Sequence, residues 1–284
     1  MIDLQQSPLY ARYITKLKWK VETLDGVNIF VRTFIFMGTF VKIQRMNHLP
    51  DIDKVKQFLI NHQAKFVVLE PGSTLSQKEF YLWAAEIKKI TTVMDVPYLP
   101  TKTIRILLEG SEEEIFKRFS EAKRRAVRRA IKNEIVVEES DQIRLLIKVK
   151  NKSAGLFGFI TTSGLKELWE AFRPQGATIV LAYQKDNTNP IAGIILIFWE
   201  KTAYYWIAGS SKQGKKLFAP TLLVWEAMKI SKQHGMTSFD FVGVWDERFP
   251  KENKDWLGFT KFKEGFGGKE FYYATHRKVE STLV

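Results

Sequence analysis

Apolar residues recur along this chain with two periodicities, one typical of strands and one typical of helices. Runs rich in Val, Ile, Phe and Tyr, bounded by glycine, proline and polar turns, predict strands in both halves. The predicted strands are Val27–Met37, Lys65–Leu69, Lys102–Leu108, Ile135–Glu138, Thr178–Gln184, Ile191–Glu200, Thr202–Ala208 and Ser238–Val242. Capping signals and apolar residues spaced three or four positions apart predict the helices. These are Ser76–Lys89, Ser111–Lys132, Asp141–Lys150, Leu165–Phe172 and Pro220–Gly235.

The order of these elements is similar in the two halves. Each half has hairpin strands, a helix and a further strand, which is the order of an acyltransferase-type α/β fold. We therefore predict an α/β (α+β) chain of two domains, residues 1–140 and 141–284. The last ~15 residues are expected to pack back on the first domain.

The helix that begins at the capping box Ser111–Glu114 is strongly basic. Residues 115–132 carry eight cations and one acid, a net charge of +7, against +13 for the whole chain. A helix whose polar face only contacts water usually carries both positive and negative side chains on that face. We therefore predict that Arg124, Arg125, Arg128 and Arg129 bind a polyanion such as tRNA or another phosphate group, although a solvated helix surface is the simpler alternative.

The composition argues against several kinds of active site and against a membrane-spanning or secreted protein. The chain has no cysteine, and its four histidines are scattered, so neither a thiolate nucleophile nor a metal centre is expected. The first residues lack a basic segment followed by an apolar run, as a signal peptide would have. The longest apolar stretch, Ile191–Trp199, is too short to cross a bilayer. We expect a cytoplasmic protein that meets a membrane, if at all, at its inner face.

Several motifs give the chain a family resemblance. The C-terminal ones are Tyr204–Ser211, Phe218–Ala227, Phe239–Gly243 and Phe262–Gly268, and the upstream ones are Leu4–Pro8, Leu69–Pro71, Tyr98–Thr103 and Arg124–Ala130. In this order and spacing they resemble the FemABX family of peptidoglycan-bridge aminoacyltransferases. The resemblance covers nearly the whole chain, and its C-terminal motifs are the specific ones.

The resemblance implies two tandem GNAT-like domains without a coiled-coil arm, acting as a monomer without a cofactor. It implies transfer of an amino acid from aminoacyl-tRNA to an amine on the stem peptide of a peptidoglycan precursor. The precursor is either UDP-MurNAc-pentapeptide or lipid II, and the lipid-linked form would give the basic helix a second partner in an anionic membrane surface. The transferred amino acid is left open.

The chemistry is attack of a neutral amine on an activated ester, through an anionic tetrahedral intermediate. The resemblance places Lys263 beside that oxyanion, and an ordinary surface lysine at a glycine-rich hairpin turn is the alternative. It makes Glu70 a candidate base or amine-positioning group, with a turn-capping carboxylate as the alternative. Tyr205 is expected to hydrogen-bond the precursor or the ester, unless it is a core aromatic residue.

Four further residues are assigned to substrate binding. Phe262 is expected to stack on the terminal adenine of the tRNA. Gly267 lies in the glycine-rich turn, where the backbone can approach a ligand closely. Tyr204 replaces Tyr205 if the register differs by one residue. Lys16 matches a position that contacts precursor phosphate, with a solvated helix residue as the alternative.

Two other functions compete. The first is a GNAT N-acyltransferase that uses acyl-CoA or an acyl carrier protein. Its pyrophosphate loop has a defined glycine spacing, which Lys212–Ala219 lacks. The second is a non-catalytic protein that binds RNA or an anionic membrane through the basic helix alone. This second function does not explain the motif Phe262–Gly268.

Overall fold

The computed structural model describes residues 2–155 and 158–278 of the 284-residue chain, without the side chains of residues 158 and 159. Two compact units are formed. Unit 1 contains the chain up to Lys102, the segment Trp245–Asp255 and the chain from Phe271 onward. Unit 2 contains Thr103–Val244 and Trp256–Glu270.

Unit 1 is built on a five-stranded sheet in the order β1-β2-β3-β4-β5. The strands are β1 (Lys20–Leu24), β2 (Val27–Phe34), β3 (Gly38–Met46), β4 (Ala64–Pro71) and β5 (Thr92–Val93). The first three strands form antiparallel hairpins, and β4 and β5 run parallel to β3. Its helices are α1 (Pro8–Lys16), α2 (Ile52–Asn61) and α3 (Gln77–Lys88). Val55, Leu59, Phe80 and Trp83 on α2 and α3 belong to the buried core of this unit.

Unit 2 is built on a seven-stranded sheet in the order β12-β6-β11-β10-β9-β8-β7. The strands are β6 (Lys102–Leu107), β7 (Ile135–Ser140), β8 (Ala177–Gln184), β9 (Ala192–Trp199), β10 (Thr202–Ser210), β11 (Ser238–Asp240) and β12 (Lys269–Tyr272). The helices are α4 (Glu112–Lys117), α5 (Glu121–Lys132), α6 (Ile143–Ala154), α7 (Gly158–Thr161), α8 (Leu165–Phe172), α9 (Lys212–Lys216), α10 (Ala219–Gln233) and α11 (Leu257–Glu264). These two sheets with flanking helices confirm the predicted α/β class. Within the described ranges the longest helix, α10, has 15 residues, so no coiled-coil arm occurs there.

The unit boundary differs from the predicted division at residue 140. The segment 103–140 belongs to unit 2 because β6 and β7 are strands of the seven-stranded sheet and Val127 of α5 belongs to the core of that unit. Hairpin order alone does not reveal this, since β6 pairs with β11, which is far away in sequence.

The predicted basic helix Ser111–Lys132 is two helices. The capping box at Ser111 is present, but α4 ends at Lys117 and Ser120 caps α5 by accepting from the Lys123 amide. The break lets Phe119 enter the core, where its ring lies 5.4 Å from that of Trp225. The buried side of α5 is formed by Val127 and Ala130.

Two searches of the described residues were negative. No helix among them is long and apolar enough to span a bilayer. No cluster of three or more His, Cys, Asp or Glu side chains in the same part of the chain could hold a metal ion.

Candidate active site

Strands β10 and β11 of unit 2 separate and leave an opening in the sheet. They pair in parallel over three residues only, Thr202–Tyr204 with Ser238–Asp240. Beyond Asp240 the strand β11 ends, while β10 continues to Ser210 with an irregularity between Tyr205 and Ile207. A cavity of about 500 Å³ lies beside this part of β10.

The cavity combines aromatic rings with a cationic end. Its lining residues are Ser153, Tyr205, Ala208, Gly209, Ser210, Lys215, Phe218, Pro220, Thr221, Leu223, Gly258, Phe259 and Phe262. Helix α10 begins here without a side-chain cap, after Phe218 in the left-handed conformation. The positive end of the helix dipole, together with Lys215, favours an anionic group at this end of the cavity.

Lys263 lies in the last turn of α11, and only 8% of its surface is exposed. Its Nζ donates to the backbone oxygens of Phe241 (3.0 Å) and Gly243 (2.5 Å). The same atom lies 4.9 and 5.6 Å from the ring centroids of Phe259 and Tyr205, which both line the cavity. Burial lowers the pKa of Lys263 to about 8, against the opposing effect of Asp240. The amino group of Lys263 is therefore buried next to two of the rings that line the cavity.

The alternative of an ordinary surface lysine at a glycine-rich hairpin turn is wrong, because Lys263 is helical and buried. Asp240 has the structural role that a carboxylate on a buried strand suggests. It accepts from Thr103 Oγ1 (2.6 Å), Arg105 Nε (2.8 Å) and the Val242 amide (2.7 Å).

Of the two neighbouring tyrosines, Tyr205 is the one that lines the cavity. Successive residues of a strand point to opposite sides of the sheet, so Tyr204 has different surroundings. The Tyr205 ring also packs edge-on against Phe241, 5.4 Å away, and burial raises its pKa. Tyr205 is thus a core aromatic residue and a cavity residue at the same time. Its hydroxyl is expected to act as a neutral hydrogen-bonding group.

Phe262 lines the cavity, and the side chain of Lys123 lies over its ring. No sequence motif indicates this contact. Lys123 Nζ lies 3.6 Å from the Phe262 ring centroid and 5.0 Å from that of Phe266. Burial lowers the pKa of Lys123 to about 8. In the sequence Lys123 is one of the cations of the basic segment 115–132, and only the fold reveals its contact with Phe262.

The backbone conformation and the close packing at position 267 both require glycine. Its φ is +77°, and a Cβ there would lie closer to the Arg118 carbonyl oxygen than real Cβ atoms approach. This packing explains the glycine without a ligand, and its contact with substrate stays a prediction.

The four arginines of α5 have different surroundings. Arg124 donates to the backbone oxygens of Lys117 (3.0 Å) and Phe119 (2.5 Å), so it caps the end of α4. Arg125 pairs with Glu121 at 3.4 Å, and the Arg129 guanidinium lies 5.6 Å from the Phe218 ring centroid. Arg125, Arg128 and Arg129 are exposed and remain the ones available to a polyanion.

Of the two predicted site residues in unit 1, Lys16 is exposed and Glu70 is buried. Lys16 is exposed in the last turn of α1. Glu70, at the end of β4, is 4% exposed, and it accepts from Gln44 Nε2 (2.5 Å) and the Leu99 amide (2.6 Å). Burial raises its pKa, although Arg45 nearby opposes this. A carboxyl group with a raised pKa suits a general base and equally suits an anchor for the loop at Leu99.

The raised pKa of Glu70 predicts a pH-dependent stability. Above the ordinary carboxyl pKa of 4.5, the folded state holds this proton more tightly than the unfolded state does. The free energy of unfolding should therefore fall, relative to Glu70→Gln, as the pH rises from 4.5 towards the raised value, by about 1.4 kcal/mol per unit of pKa difference. Urea unfolding of both proteins between pH 4.5 and 7.5 measures this. Parallel profiles would show that burial does not raise this pKa.

Comparisons with known proteins agree with this architecture. Residues 172–273 match the FemAB family. The fold is similar to the crystal structure of FemX, with a TM-score of 0.71 and 15% identity over 95% of this chain and 90% of that chain. It is also similar to the C-terminal domain of a protein described as a lysylphosphatidylglycerol synthetase from Agrobacterium fabrum (TM-score 0.60, 13% identity, 97% and 89% covered).

A tandem GNAT protein from the clavulanic acid biosynthesis pathway has a related fold (TM-score 0.53, 7% identity, 87% and 77% covered). No curated protein matches the chain. At these identities the likeness to the solved structures is one of fold. Residues 172–273 are therefore similar to the FemAB family, and the chain as a whole has a fold similar to that of FemX and of a tandem GNAT protein.

Proposed function

We propose that this protein is an aminoacyltransferase that moves an amino acid from aminoacyl-tRNA to an amine of a peptidoglycan precursor. The FemAB match supports an enzyme of the acyl- or aminoacyltransferase class. The observation that carries the proposal is the unit 2 cavity, which combines aromatic rings, a cationic helix start and the buried ammonium of Lys263 behind its wall.

Each end of the cavity suits one part of a charged tRNA terminus. Phosphate is expected near the start of α10 and Lys215, where the helix dipole and the lysine are both positive. The terminal adenine is expected on Phe262, since base–aromatic stacking contributes about 1–3 kcal/mol. Exposed Arg125, Arg128 and Arg129 would hold the backbone of the same RNA further along.

The reaction is attack of the acceptor nitrogen on the ester carbonyl, which forms a C–N bond and a tetrahedral oxyanion. The C–O bond to the tRNA ribose then breaks, and the ribose oxygen takes up a proton as the nitrogen loses one. The charge of Lys263 and the hydroxyl of Tyr205 are proposed to stabilise the oxyanion. None of the described cavity-lining residues is Asp or Glu. Glu70, which the family resemblance makes a candidate base or amine-positioning group, belongs to unit 1, and its role stays a prediction.

Two acceptor classes are compatible with this fold. The family match favours the amine of a stem peptide, linked either to a nucleotide or to a lipid. The likeness to a lysylphosphatidylglycerol synthetase domain makes a lipid headgroup the second acceptor to test. In both classes the donor is an activated aminoacyl ester and the site must stabilise the same oxyanion.

An acyl-CoA donor is the second candidate function. It is favoured by the opening of the sheet beside an uncapped helix start, which suits a pyrophosphate, and by the likeness to a tandem GNAT protein. Aminoacyl-tRNA remains the proposed donor because the loop Lys212–Ala219 lacks the glycine spacing of a pyrophosphate loop.

Filling the cavity should block donor binding. Gly258 lines the cavity, and a Cβ added there would meet no atom within 4 Å, so a large side chain can enter without displacing backbone. We expect Gly258→Trp to weaken binding of aminoacyl-tRNA by roughly a hundredfold, about 2.7 kcal/mol. Fluorescence anisotropy with a labelled charged tRNA measures the effect, and unlabelled acyl-CoA serves as competitor.

Gly258→Ala is the matched control. It removes the flexible helical glycine but leaves the cavity open, so binding should be unchanged and stability should rise by up to about 1 kcal/mol. Wild-type affinity in the Gly258→Trp protein would place the donor elsewhere. Competition by acyl-CoA, with no binding of charged tRNA, would favour the second candidate.

A further inference from the structure

The turn between β2 and β3 exposes three consecutive apolar side chains. Ile35 is 93% exposed and Phe36 96%, the two highest values among the large hydrophobic residues of the described chain, and Met37 is also exposed. We call these three residues the apolar tip. The sequence had predicted a strand continuing to Met37, but β2 ends at Phe34 and the chain turns there. Contiguous exposed apolar residues mark contacts with a protein or a membrane when the patch is large.

An aromatic cluster lies at the base of the apolar tip. The ring centroids of Trp19 and Phe34 are 6.2 Å apart, those of Phe34 and Phe40 5.4 Å, and those of Phe40 and Phe66 4.8 Å. All four rings are only partly buried. Partly exposed aromatic residues next to an apolar surface are typical of the boundary between the acyl chains and headgroups of a bilayer.

Cations surround this cluster. Arg32, Lys42 and Lys65 lie over the rings of Phe34, Trp19 and Phe66, at 4.8, 4.2 and 5.4 Å. Lys18 is exposed beside Trp19. The stretches Leu4–Val21, Val27–Met46 and Lys54–Leu69 contain no acidic residue. Of the two acids between the first two stretches, Glu22 is paired with Lys20 and His62, and Asp25 is paired with Lys54. This end of unit 1 is therefore apolar at its tip and positive around its base.

We propose that the apolar tip inserts into an anionic lipid bilayer, with the cations around its base on the phospholipid headgroups. A convex tip of three residues would need a matching pocket on a protein partner, whereas a bilayer requires no shape complementarity. Apolar insertion and headgroup attraction together give reversible surface binding. The inference concerns unit 1 alone and does not depend on the proposed transfer reaction.

Vesicle flotation tests this proposal. The full chain should bind vesicles of equal phosphatidylcholine and phosphatidylglycerol and should bind vesicles of pure phosphatidylcholine much less. Ile35→Ser combined with Phe36→Ser should lower the partition coefficient on the anionic vesicles by roughly tenfold or more. Leu82→Ser combined with Val96→Ser removes two other exposed apolar side chains of unit 1 and should change it less than about twofold.

Insertion of the apolar tip into the bilayer is measured in a separate experiment. The chain has no cysteine, so Met37→Cys carries a single environment-sensitive fluorophore, with Leu82→Cys as the control position. Anionic vesicles should shift the emission of the first label to the blue and leave the second unchanged.

Three outcomes would overturn the proposal. The Ile35/Phe36 variant could keep wild-type vesicle binding, with Arg125→Glu and Arg128→Glu on α5 abolishing it instead. The Leu82/Val96 control could lose as much binding as the tip variant. The tip variant could change a dimer into a monomer in light scattering without changing vesicle binding, which would make the tip a contact between copies.

Discussion

Replacing Lys263 by Ala should lower the rate of aminoacyl transfer by on the order of a hundredfold, the effect of removing one group that stabilises an oxyanion. The reason is its position, since Nζ is buried behind the cavity rings of Tyr205 and Phe259. In that environment a positive charge interacts with a developing oxyanion more strongly than it would in water. If the charge acts mainly on the transition state, kcat and kcat/KM fall together. Single-turnover and steady-state rates with charged tRNA measure both.

Lys261→Ala is the matched control for this experiment. Lys261 lies on the same helix α11 but is exposed, so its loss should change the rate less than about threefold. Lys263→Ala also removes the ammonium donor of the Gly243 carbonyl, while the Phe241 carbonyl still accepts from the Gly243 amide, so we expect a cost of about 1–3 kcal/mol in stability. Rates are therefore compared at a temperature where circular dichroism shows both variants folded. A folded Lys263→Ala protein with a wild-type rate would remove Lys263 from the mechanism.

Replacing Gly267 by Ala should have the largest effect on stability. Its φ of +77° costs an L-residue about 1–2 kcal/mol, and the added Cβ would in addition collide with the Arg118 backbone oxygen. Because that partner is backbone, a side-chain rotation cannot relieve the collision. We expect a loss of roughly 3 kcal/mol or more, measured by urea unfolding.

Gly235→Ala separates the two causes. Gly235 has nearly the same φ, +76°, but a Cβ there would meet no atom within 4 Å. This variant should show only the conformational cost, about 1–2 kcal/mol. Equal losses in the two variants would mean that the approach of Arg118 does not matter, and that Gly267 is required only for its φ.

The sequence predicted the fold well where local signals and burial agree. Helix α8 has the predicted bounds, Leu165–Phe172, because its apolar spacing is regular and Leu168, Trp169 and Phe172 are all buried. The β8–β10 strands were predicted to within two residues, since they are long apolar runs separated by polar turns. The α/β class and the acyltransferase-type order follow from these elements.

Helix α11 was missed for a physical reason that also concerns function. Its buried positions are Thr260 and Lys263, so it shows no apolar stripe to mark it as a helix. A buried lysine breaks the hydrophobic pattern at the position where the proposed chemistry needs a charge. The family resemblance identified Lys263, but only the fold shows its two carbonyl partners and its position behind the cavity.

Other parts of the candidate site depend on contacts between residues distant in sequence. The cation–ring contact of Lys123 with Phe262 joins residues 139 positions apart, and no local signal predicts it. The opening between β10 and β11 depends on where β11 ends, which a strand prediction to Val242 placed two residues too late. Sequence spacing therefore indicated the residue types of the site, and tertiary packing determined which of them meet.

Transfer of radiolabelled amino acids from a fully charged tRNA pool is the measurement that tests the central claim most directly. The acceptors are lipid-linked and nucleotide-linked muropeptides, with phosphatidylglycerol vesicles in parallel, and acetyl-CoA replaces the charged tRNA in a separate arm. We predict label on a muropeptide amine that requires charged tRNA and is lost in Gly258→Trp, and the labelled residue names the amino acid. Folded protein that labels no acceptor from charged tRNA, or that transfers only from acetyl-CoA, would contradict the proposed function.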